Sequence, residues 1–435
     1  MRKARKDQAG GEGLGRREFL KISLAAGASL AAPMIFTRRA SAQEERVLKI
    51  VQWKHFVPDY DKWFDVFAKE FGEKNKCKVE VDYVATPDLP TAIAADISRS
   101  GGHDVFHLNG TGAWLYENVL VDVTEVSKRL GKEFGGWIPE AASLADVRGK
   151  WLCVPHWFMS FPWIINRKYF QDVGEDYTDK TTWNDIVRIG GKLKKAGYPI
   201  GIPISQTPDS NDNLFPTMLS FKAYIFDKSG NIAFAKKEIV DVLKFGESLF
   251  KETMTDEVLS WDDTSNNRFI ISGKGSMVCN PISAYRTAAK DQPDVYKNLD
   301  IVKPPIGPAG IRVGGARTMS YGIYNFSKVQ DLGKEFLYTM NKESLRGMEA
   351  STGYNHPYLR AFQKKPMPVI GHEPKLELLQ DYQDYVKFIG SPGPMTKTAT
   401  SMYAKFIVPT MFAEVCKGKA PRQAMEEAEQ KLRAV

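Results

Sequence analysis

The sequence predicts an α/β protein of two domains, with mostly parallel sheets flanked by helices. Strand-like segments alternate with helix-like segments almost to the end of the chain, which is the order typical of parallel sheets covered by helices. The chain has 435 residues, more than one hydrophobic core usually serves. Hydrophobic residues make up 43% and charged residues 26%, a composition that indicates a soluble globular protein.

A βαβαβ order opens the folded part of the chain. The first helix repeats Trp63, Phe67 and Phe71 at helical spacing, and the strand after it alternates apolar and polar residues. The predicted elements are the strand VLKIVQW (47–53), a helix at 59–74, the strand CKVEVDYV (77–84), a helix at about 88–99 and the strand DVFHLN (104–109).

The rest of the chain continues the pattern with shorter strands and amphipathic helices. Pro421 suits the first turn of the last helix because its missing N–H has no partner there. Strands are predicted at 200–205, 276–280, 299–304 and 318–325, and helices at 181–197, 238–252 and 421–435.

Three segments rich in Pro and Gly interrupt the regular elements without starting a long linker: 154–158, 303–315 and 351–357. Three such crossings predict two lobes whose chain segments interleave. The first crossing lies within WLCVPHWFMSFPWIINRKYF (151–170), where the prolines and the polar residues after them exclude a membrane span.

The N-terminus has the pattern of an export signal. GRREFLK (15–21) resembles a twin-arginine signal, the apolar run at 22–36 is too short to span a membrane, and Ala40-Ser41-Ala42 is a small-residue cleavage site. We therefore predict a signal peptide at 1–42 and a soluble periplasmic protein that starts at Gln43. An ordinary signal with a chance arginine pair is the alternative.

The net charge of +8 gives no case for a nucleic-acid partner. Nine Lys/Arg and three Asp/Glu lie in residues 1–42, so the remainder carries a net charge of only +2. Residues 43–435 carry nearly equal numbers of positive and negative charges, so they lack the excess of basic residues that nucleic-acid binding requires.

Four cysteines are scattered singly along the chain, at Cys77, Cys153, Cys279 and Cys416. They form no dense disulfide framework, although the predicted compartment is oxidising. We favour buried thiols, and disulfides remain the alternative.

Seven segments, in this order, together resemble one family, the bacterial extracellular solute-binding proteins of ABC importers in their sugar-binding group. The segment at 148–174 departs from the family pattern at Trp151, Ile165 and Arg167-Lys168, so the ligand is not carried over from any relative. The seven are VQWKHFVPDYDKWFDVFAKEF (51–71), GGHDVFHLNGTGAWLYENVLVDVTE (101–125), RGKWLCVPHWFMSFPWIINRKYFQDVG (148–174), TTWNDIVRIGGKL (181–193), FIISGKGSMVCN (269–280), GGARTMSYGIYNFSK (314–328) and TGYNHP (352–357).

The resemblance implies a two-lobe periplasmic binding protein (type II-like), with three interlobe crossings and the ligand held between the lobes. Such proteins close around a ligand by hinge motion. We assign lobe one to 43–155 and 314–351, and lobe two to 158–305 and 357–435.

Candidate ligand contacts follow from two rules. Clefts between domains bind ligands with aromatic side chains, which selects Trp157 and Phe158 at the first crossing. Ligands also sit beyond the carboxyl ends of parallel strands, and this edge or the other crossings select Trp53, His55, Phe56, Asn109, Gly110, Thr111, Asn280, Ser283, Tyr285, Arg317, Tyr354 and Asn355. The resemblance adds Trp261 and Asp262, since WDD precedes a cleft-facing helix in the family.

These residue types suit a sugar or polyol. The C–H face of a pyranose stacks on aromatic rings, and its hydroxyls pair with Asn, Asp, Ser and backbone groups. If Arg286 and Arg317 both reach the cleft, an anionic solute such as a sugar acid or phosphorylated solute becomes the alternative. Amino acids use the same contacts.

We therefore predict a monomeric binding protein that delivers its ligand to membrane permease subunits. A binding protein that serves a receptor instead of a transporter has the same fold. An exported enzyme is the remaining alternative, but the sequence has no CxxC, HExxH, GxSxG or phosphate-loop motif. We assign no catalytic residue, metal or cofactor.

Overall fold

A computed structural model describes residues 46–435. The predicted export signal at 1–42 and the cleavage before Gln43 lie outside the described residues. Within 46–435, no helix has both the length and the apolar composition to cross a membrane.

Two sheets form the centres of the two lobes. The larger has six strands in the order β12-β6-β11-β3-β1-β2, the smaller has four in the order β10-β7-β9-β8, and β4 and β5 form a separate pair. The strands are β1 (Arg46–Trp53), β2 (Cys77–Val84), β3 (Val105–Asn109), β4 (Asp146–Val147), β5 (Lys150–Trp151), β6 (Val154–Phe161), β7 (Trp163–Asn166), β8 (Ile200–Gly201), β9 (Met277–Cys279), β10 (Leu299–Val302), β11 (Gly315–Ile323) and β12 (Asn355–Pro357).

Helices cover these sheets, and 3₁₀ turns lie at 113–116, 256–259, 360–363, 370–372 and 377–384. The α-helices are α1 (Pro58–Asn75), α2 (Leu89–Arg99), α3 (Thr124–Glu133), α4 (Pro139–Ala145), α5 (Arg167–Asp172), α6 (Trp183–Lys195), α7 (Pro208–Ser220), α8 (Lys236–Thr253), α9 (Ser265–Ile271), α10 (Ser283–Asp291), α11 (Pro293–Tyr296), α12 (Gln330–Lys342), α13 (Ser344–Ala350), α14 (Lys397–Ala404), α15 (Ile407–Cys416) and α16 (Pro421–Arg433).

The predicted βαβαβ opening is confirmed: β1 pairs in parallel with both β2 and β3. The sheets as a whole are mixed. In the larger sheet β11 runs antiparallel to β3 and β6, and in the smaller sheet β7 runs antiparallel to β9 and β10. β7 and β11 each follow a crossing between the sheets. They are not joined to a neighbouring strand by the crossover helix that parallel pairing usually requires.

Two predicted elements differ in extent. The strand expected at 200–205 is limited to Ile200–Gly201, because Pro203 has no N–H to continue the ladder. Residues 154–158, expected as a crossing, form the first part of β6 instead. The apolar run there is buried between β11 and β12, and the chain changes sheets at Pro162, between β6 and β7.

Local sequence explains several helix boundaries. Thr182 and Asp185 form a capping box at the start of α6, in which each side chain accepts from the other residue's backbone N–H. Proline occupies the first turn of α1, α4 and α16. On α1 the residues Phe67 and Phe71 are buried, as the helical spacing predicts, whereas Trp63 is only half-buried and its neighbour Phe64 is buried.

The four cysteine side chains are buried as thiols, in agreement with the prediction. Burial raises the pKa of the Cys153 and Cys416 thiols to about 12. Protonated thiols of this kind act as small apolar core residues.

Candidate functional site

The carboxyl ends of β1 and β3 lie side by side at one edge of the larger sheet. β1 ends at Trp53 and β3 at Asn109, and the chain turns at Gly110 with φ +73°, a conformation that favours glycine. The Gly110 N–H donates to the carbonyl of Thr318 at 2.8 Å. The start of β11 therefore lies at this same edge.

Strand register decides which neighbouring side chains face the same way. Met159 of β6 is paired with Arg317 of β11 and with Asn355 of β12, and paired residues share a face of the sheet. Trp157 lies two residues before Met159 and points to that face as well, whereas Phe158 points to the opposite face.

Five predicted residues meet on this face as an aromatic cluster: Trp53, His55, Phe56, Trp157 and Tyr354. The ring centroids of Trp53 and His55 are 4.9 Å apart, and His55 lies 5.5 Å from Trp157 and 4.9 Å from Tyr354. Trp53, Trp157 and Tyr354 are each at most 2% exposed. Sequence reasoning thus selected a set of rings that the fold brings together.

Hydrogen bonds fix the tautomer of His55. The Val57 N–H donates to Nδ1 at 2.9 Å, so Nε2 carries the proton and donates to Asn355 Oδ1 at 3.0 Å. Burial lowers the pKa of His55 to about 4. The ring is therefore neutral at pH 7, and its partner Asn355 keeps an Nδ2 group that has no hydrogen-bond partner among the described residues.

Helix α7 is buried over its whole length after Pro208, although half of its residues are polar. The Thr207 hydroxyl caps it by accepting the Ser210 N–H at 3.3 Å. β11 passes directly against the helix, because a Cβ on Gly315 would lie 1.9 Å from the Asp212 carbonyl oxygen. Burial of so polar a helix requires specific partners for its side chains.

Those partners form a polar cluster, which consists of Asp209, Asp212, Asp263, Asn266, Arg317 and Tyr403. Arg317 is 1% exposed and its Nε donates to Asp212 Oδ2 at 2.7 Å. Its Nη2 donates to Asp209, and its Nη1 lies 3.8 Å from Asp263 Oδ1. One cation therefore faces three carboxylates.

Asparagines extend the polar cluster toward β9. Asn266 Nδ2 donates to Asp209 Oδ2 at 2.6 Å and also contacts Asn280 Oδ1. Asn280 Nδ2 in turn donates to Asn267 Oδ1 at 2.6 Å, and Asn267 Nδ2 donates to Ser283 Oγ at 3.3 Å. The predicted residues Asn280 and Ser283 thereby join the cluster.

The polar cluster reaches the edge of the larger sheet through Tyr403. Its hydroxyl donates to Asp212 Oδ2 at 3.3 Å, and a Cβ on Gly110 would lie 2.6 Å from the same hydroxyl oxygen. The aromatic cluster is also adjacent, because the Tyr354 hydroxyl donates to Met159 Sδ at 3.2 Å and Met159 is paired with Arg317. The two clusters together form the candidate site.

Burial dominates the electrostatics of this site. It raises the pKa of Asp212 to about 6, against the opposing charge of Arg317. It also raises the pKa of Asp263, and the nearby charge of Asp209 adds to that effect. Burial alone lowers the pKa of Arg317, but Asp212 and Asp209 raise it by more, so the guanidinium stays charged.

Three predicted residues lie away from both clusters. Phe158 stacks on His356 with centroids 5.1 Å apart, and Tyr285 donates to Glu373 Oε1 at 2.8 Å. Trp261 packs on Phe269 with centroids 5.1 Å apart. Each has the contacts of a core residue.

Two further candidates lie at the margin of the site. The Asp262 side chain is 64% exposed and accepts from Arg268 Nη2 at 3.1 Å, while its neighbour Asp263 points inward to Arg317. Thr111 is half-buried immediately after Gly110.

Sequence reasoning did not select most of the polar cluster: Asp209, Asp212, Asp263, Asn266 and Tyr403. The signal available was a proline-started segment at 208–220 whose polar first half resembles a solvated helix face. Nothing in that pattern distinguishes burial from exposure. Asp262 and Asp263 are adjacent in the sequence, and only the fold decides which carboxylate faces inward.

The site has hydrogen-bonding and stacking groups rather than metal ligands. Within residues 46–435, no group of three or more His, Cys, Asp or Glu side chains is arranged to hold a metal ion. The second arginine considered from the sequence, Arg286, donates to Glu373 Oε2 at 2.6 Å and to the Thr352 carbonyl at 2.8 Å.

The sequence and the fold were compared with known proteins. Residues 57–343 match the profile of the family described as bacterial extracellular solute-binding protein. A curated relative, the diacetylchitobiose binding protein DasA of Streptomyces coelicolor, is 25% identical over 148 residues, which are 33% of this chain and 34% of that protein. The match therefore spans about a third of that relative's length.

Solved structures share the fold over nearly their whole length. A maltose-bound MalE3 of T. maritima has a TM-score of 0.75 at 15% identity, covering 89% of this chain and 99% of that one. A sugar transporter from Arthrobacter chlorophenolicus A6 with bound laminaribiose has a TM-score of 0.77 at 16% identity, with the same coverage. Identities this low establish only the fold, that of two-lobe periplasmic binding proteins, as predicted.

The two-lobe α/β fold and the family match over most of the chain lead to one conclusion: this protein belongs to the bacterial extracellular solute-binding protein family.

Proposed function

We propose that this protein is the periplasmic substrate-binding component of an ABC importer, and that it captures a carbohydrate or polyol between its lobes by hinge closure. The observation that carries the proposal is that Met159 links the aromatic and polar clusters: its Sδ accepts from the Tyr354 hydroxyl at 3.2 Å, and it is paired with Arg317 across β6 and β11. Aromatic rings for stacking and buried carboxylate, amide and guanidinium groups for hydroxyls are the two requirements of sugar recognition.

Hinge motion follows from the burial of these groups. Trp53, Trp157 and Tyr354 are at most 2% exposed, so a solute contacts them only after the lobes separate. Contacts with both lobes then exist only in the closed state, and a ligand favours that state by its difference in affinity. To change the ratio of closed to open protein from 1:99 to 99:1, the ligand must bind the closed state more favourably by about 5.5 kcal/mol. Several hydrogen bonds and one stacked ring can supply that difference.

A neutral ligand is favoured over an anionic one. Arg317 is already paired with Asp209 and Asp212, and Arg286 with Glu373. Neither guanidinium is available to an incoming carboxylate or phosphate without losing a buried partner. The sugar acid and phosphorylated solute are therefore less well supported than the neutral sugar. The diacetylchitobiose binding protein and the maltose-bound and laminaribiose-bound structures named above support a carbohydrate.

The remaining parts of the proposal concern export and assembly. We propose twin-arginine export to the periplasm, action as a monomer, and delivery to permease subunits. The predicted lobe boundaries (43–155 with 314–351, and 158–305 with 357–435) are part of the same proposal, with the first crossing moved to Pro162, where the chain leaves the larger sheet.

A thermal-shift screen tests the function. The purified protein is heated with neutral mono- and oligosaccharides, polyols, sugar acids and amino acids, and titration calorimetry follows each stabilising compound. We expect stabilisation by a carbohydrate or polyol, with a smaller radius of gyration by X-ray scattering. Stabilisation by amino acids alone, or turnover of a sugar derivative, would contradict the proposal.

A further inference from the structure

The polar cluster would carry excess negative charge if all three of its carboxyl groups were ionised. Asp209, Asp212 and Asp263 face the single guanidinium of Arg317, and these are the only groups of the described chain that form ion pairs with it. Excess charge that is shielded from water is costly unless it is neutralised by a proton or by a bound cation.

Asp263 is the carboxylate with unused capacity. Both of its oxygens are shielded from solvent and accept no hydrogen bond of ordinary geometry within residues 46–435, although the Thr86 hydroxyl is near enough to lower the pKa of this carboxyl group. Arg317 Nη1, at 3.8 Å, is too distant to donate one. An ionised carboxylate accepts up to about four hydrogen bonds, so Asp263 is a site for a donor-rich group.

A second acceptor without a partner lies on α7. Asn213 is 4% exposed, and its Nδ2 donates to the Asp209 carbonyl at 2.7 Å, which leaves its Oδ1 as an acceptor with no donor among the described residues. Asn213 follows Asp209 by four positions and therefore shares its helix face. A second acceptor without a donor therefore lies on the helix that carries Asp209 and Asp212.

We propose that the solute carries a protonated amine, as in an amino sugar or amino polyol, and that Asp263 binds the ammonium group. The inference rests on the proposed function and narrows its ligand class. Neutral hydroxyls supply donors but no charge that stabilises the ionised form of Asp263, whereas an ammonium supplies three donors and a positive charge. Burial raises the pKa of Asp263, which agrees with a carboxylate that lacks its counter-ion.

The test compares amines with their N-acetylated forms, which keep the sugar and remove the charge. The intact protein is titrated by calorimetry with glucosamine and N-acetylglucosamine, with chitobiose and its diacetyl form, and with glucose and cellobiose. We expect at least one free amine to bind about thirtyfold or more tightly than its acetylated partner.

Asp263→Asn keeps the size of the side chain and removes its charge. We expect this variant to lose about thirtyfold in affinity for the amine, which is at least about tenfold more than it loses in affinity for a neutral analogue. Asp241→Asn is the matched control, since Asp241 forms an exposed ion pair with Lys237 on α8. Circular dichroism and the melting temperature show whether each variant is folded.

Several results would overturn the inference. If the N-acetylated sugars, or glucose and cellobiose, bound more tightly than the free amines, the carbohydrate function would stand but the preference for an amine would be contradicted. Unchanged amine affinity in Asp263→Asn would show that Asp263 does not bind the ammonium group. Stabilisation of the protein by Ca²⁺ alone would indicate that the carboxylates bind a metal ion and not an amine. If no carbohydrate of either type binds, the proposed function fails as well.

Discussion

The guanidinium of Arg317 joins β11 to α7 by donating from Nε to Asp212 Oδ2 at 2.7 Å. Its second bond, to Asp209, lies one helical turn away on the same face of α7. Because all three side chains are buried, this pair of contacts neutralises charge at the junction of the two lobes. We therefore expect the loss of these two contacts to lower both the free energy of unfolding and the affinity for the ligand.

Removal of the cation should be strongly destabilising. Arg317→Leu leaves Asp209 and Asp212 buried without their partner, and we expect a loss of about 3–5 kcal/mol in the free energy of unfolding. Urea denaturation measures it. Arg188→Leu, which removes a surface pair with Glu175, is the control and should leave the midpoint unchanged. Equal effects of the two substitutions would contradict the ion-pair assignment.

Gly110 should be intolerant of a side chain for two separable reasons. Gly110→Ala places a methyl group 2.6 Å from the Tyr403 hydroxyl in a left-handed conformation. Gly174→Ala has a nearly identical φ of +72° but nothing within 4 Å of the new Cβ. Both should lose about 1–2 kcal/mol from backbone strain, and only Gly110→Ala should also lose ligand affinity. Equal affinity in the two variants would remove Gly110 from the site.

The hydroxyl of Tyr382 should stabilise the strand ends next to the crossings. It donates to the Gly315 carbonyl at 2.7 Å and accepts the Phe161 N–H at 3.1 Å. Tyr382→Phe leaves both buried groups without that partner, so we expect a loss of about 1–3 kcal/mol by urea denaturation. Tyr169→Phe, which removes one partly exposed bond to Gly273, should lose less. A Tyr382→Phe protein as stable as the parent would contradict this role.

Buried histidines should make the protein sensitive to acid. Burial lowers the pKa of His55, His156 and His356 to about 4 from an ordinary value of 6.5. The unfolded chain therefore binds more protons between these values, and stability should fall as the pH falls from about 6.5 to about 4. Each histidine contributes at most about 3 kcal/mol to that loss.

Denaturation of the parent and of His356→Gln at several pH values measures the histidine effect. The substitution removes one titrating ring, so the pH dependence of unfolding should become shallower by about one proton near pH 5. The raised pKa of Asp212 acts with the opposite sign, because a carboxylate of this kind destabilises the fold as the pH rises through about 6. A parent protein equally stable at pH 7 and pH 5, with the variant showing the same profile, would contradict the prediction.

Binding of an amine should release protons from the site. Burial and Asp209 raise the pKa of Asp263 in the free protein, against the charge of Arg317 and the Thr86 hydroxyl. A bound ammonium favours the ionised carboxylate and lowers that pKa. Calorimetry at pH 7 in buffers of different ionisation enthalpy should therefore detect proton release in the parent and less release in Asp263→Asn. Identical apparent enthalpies in all buffers would argue against a titrating Asp263.

Local patterns were sufficient for the first half of the larger sheet. The strands β1, β2 and β3 and the helices α1 and α2 lie within one or two residues of their predicted bounds. The spacing of apolar residues in these elements follows from the local geometry of a helix or strand, so the sequence alone is sufficient to predict them. The ordered motifs likewise identified the family without any tertiary information.

Local patterns failed where contacts between distant segments decide burial. The polar first half of α7 reads as a solvated face, yet it is buried because β11 passes against it at Gly315. Trp157 and Phe158 are equally apolar neighbours, and only the pairing of β6 with two strands places Trp157 with the other rings.

The sequence by itself determined the succession of strands and helices and the family, and it selected the aromatic rings at the strand ends. Only the tertiary structure decided that Arg317 is neutralised within the chain and that Asp263, rather than Asp262, faces inward. The physical reason is that charge neutralisation depends on which groups share a solvent-shielded volume, and that volume is formed by segments more than a hundred residues apart.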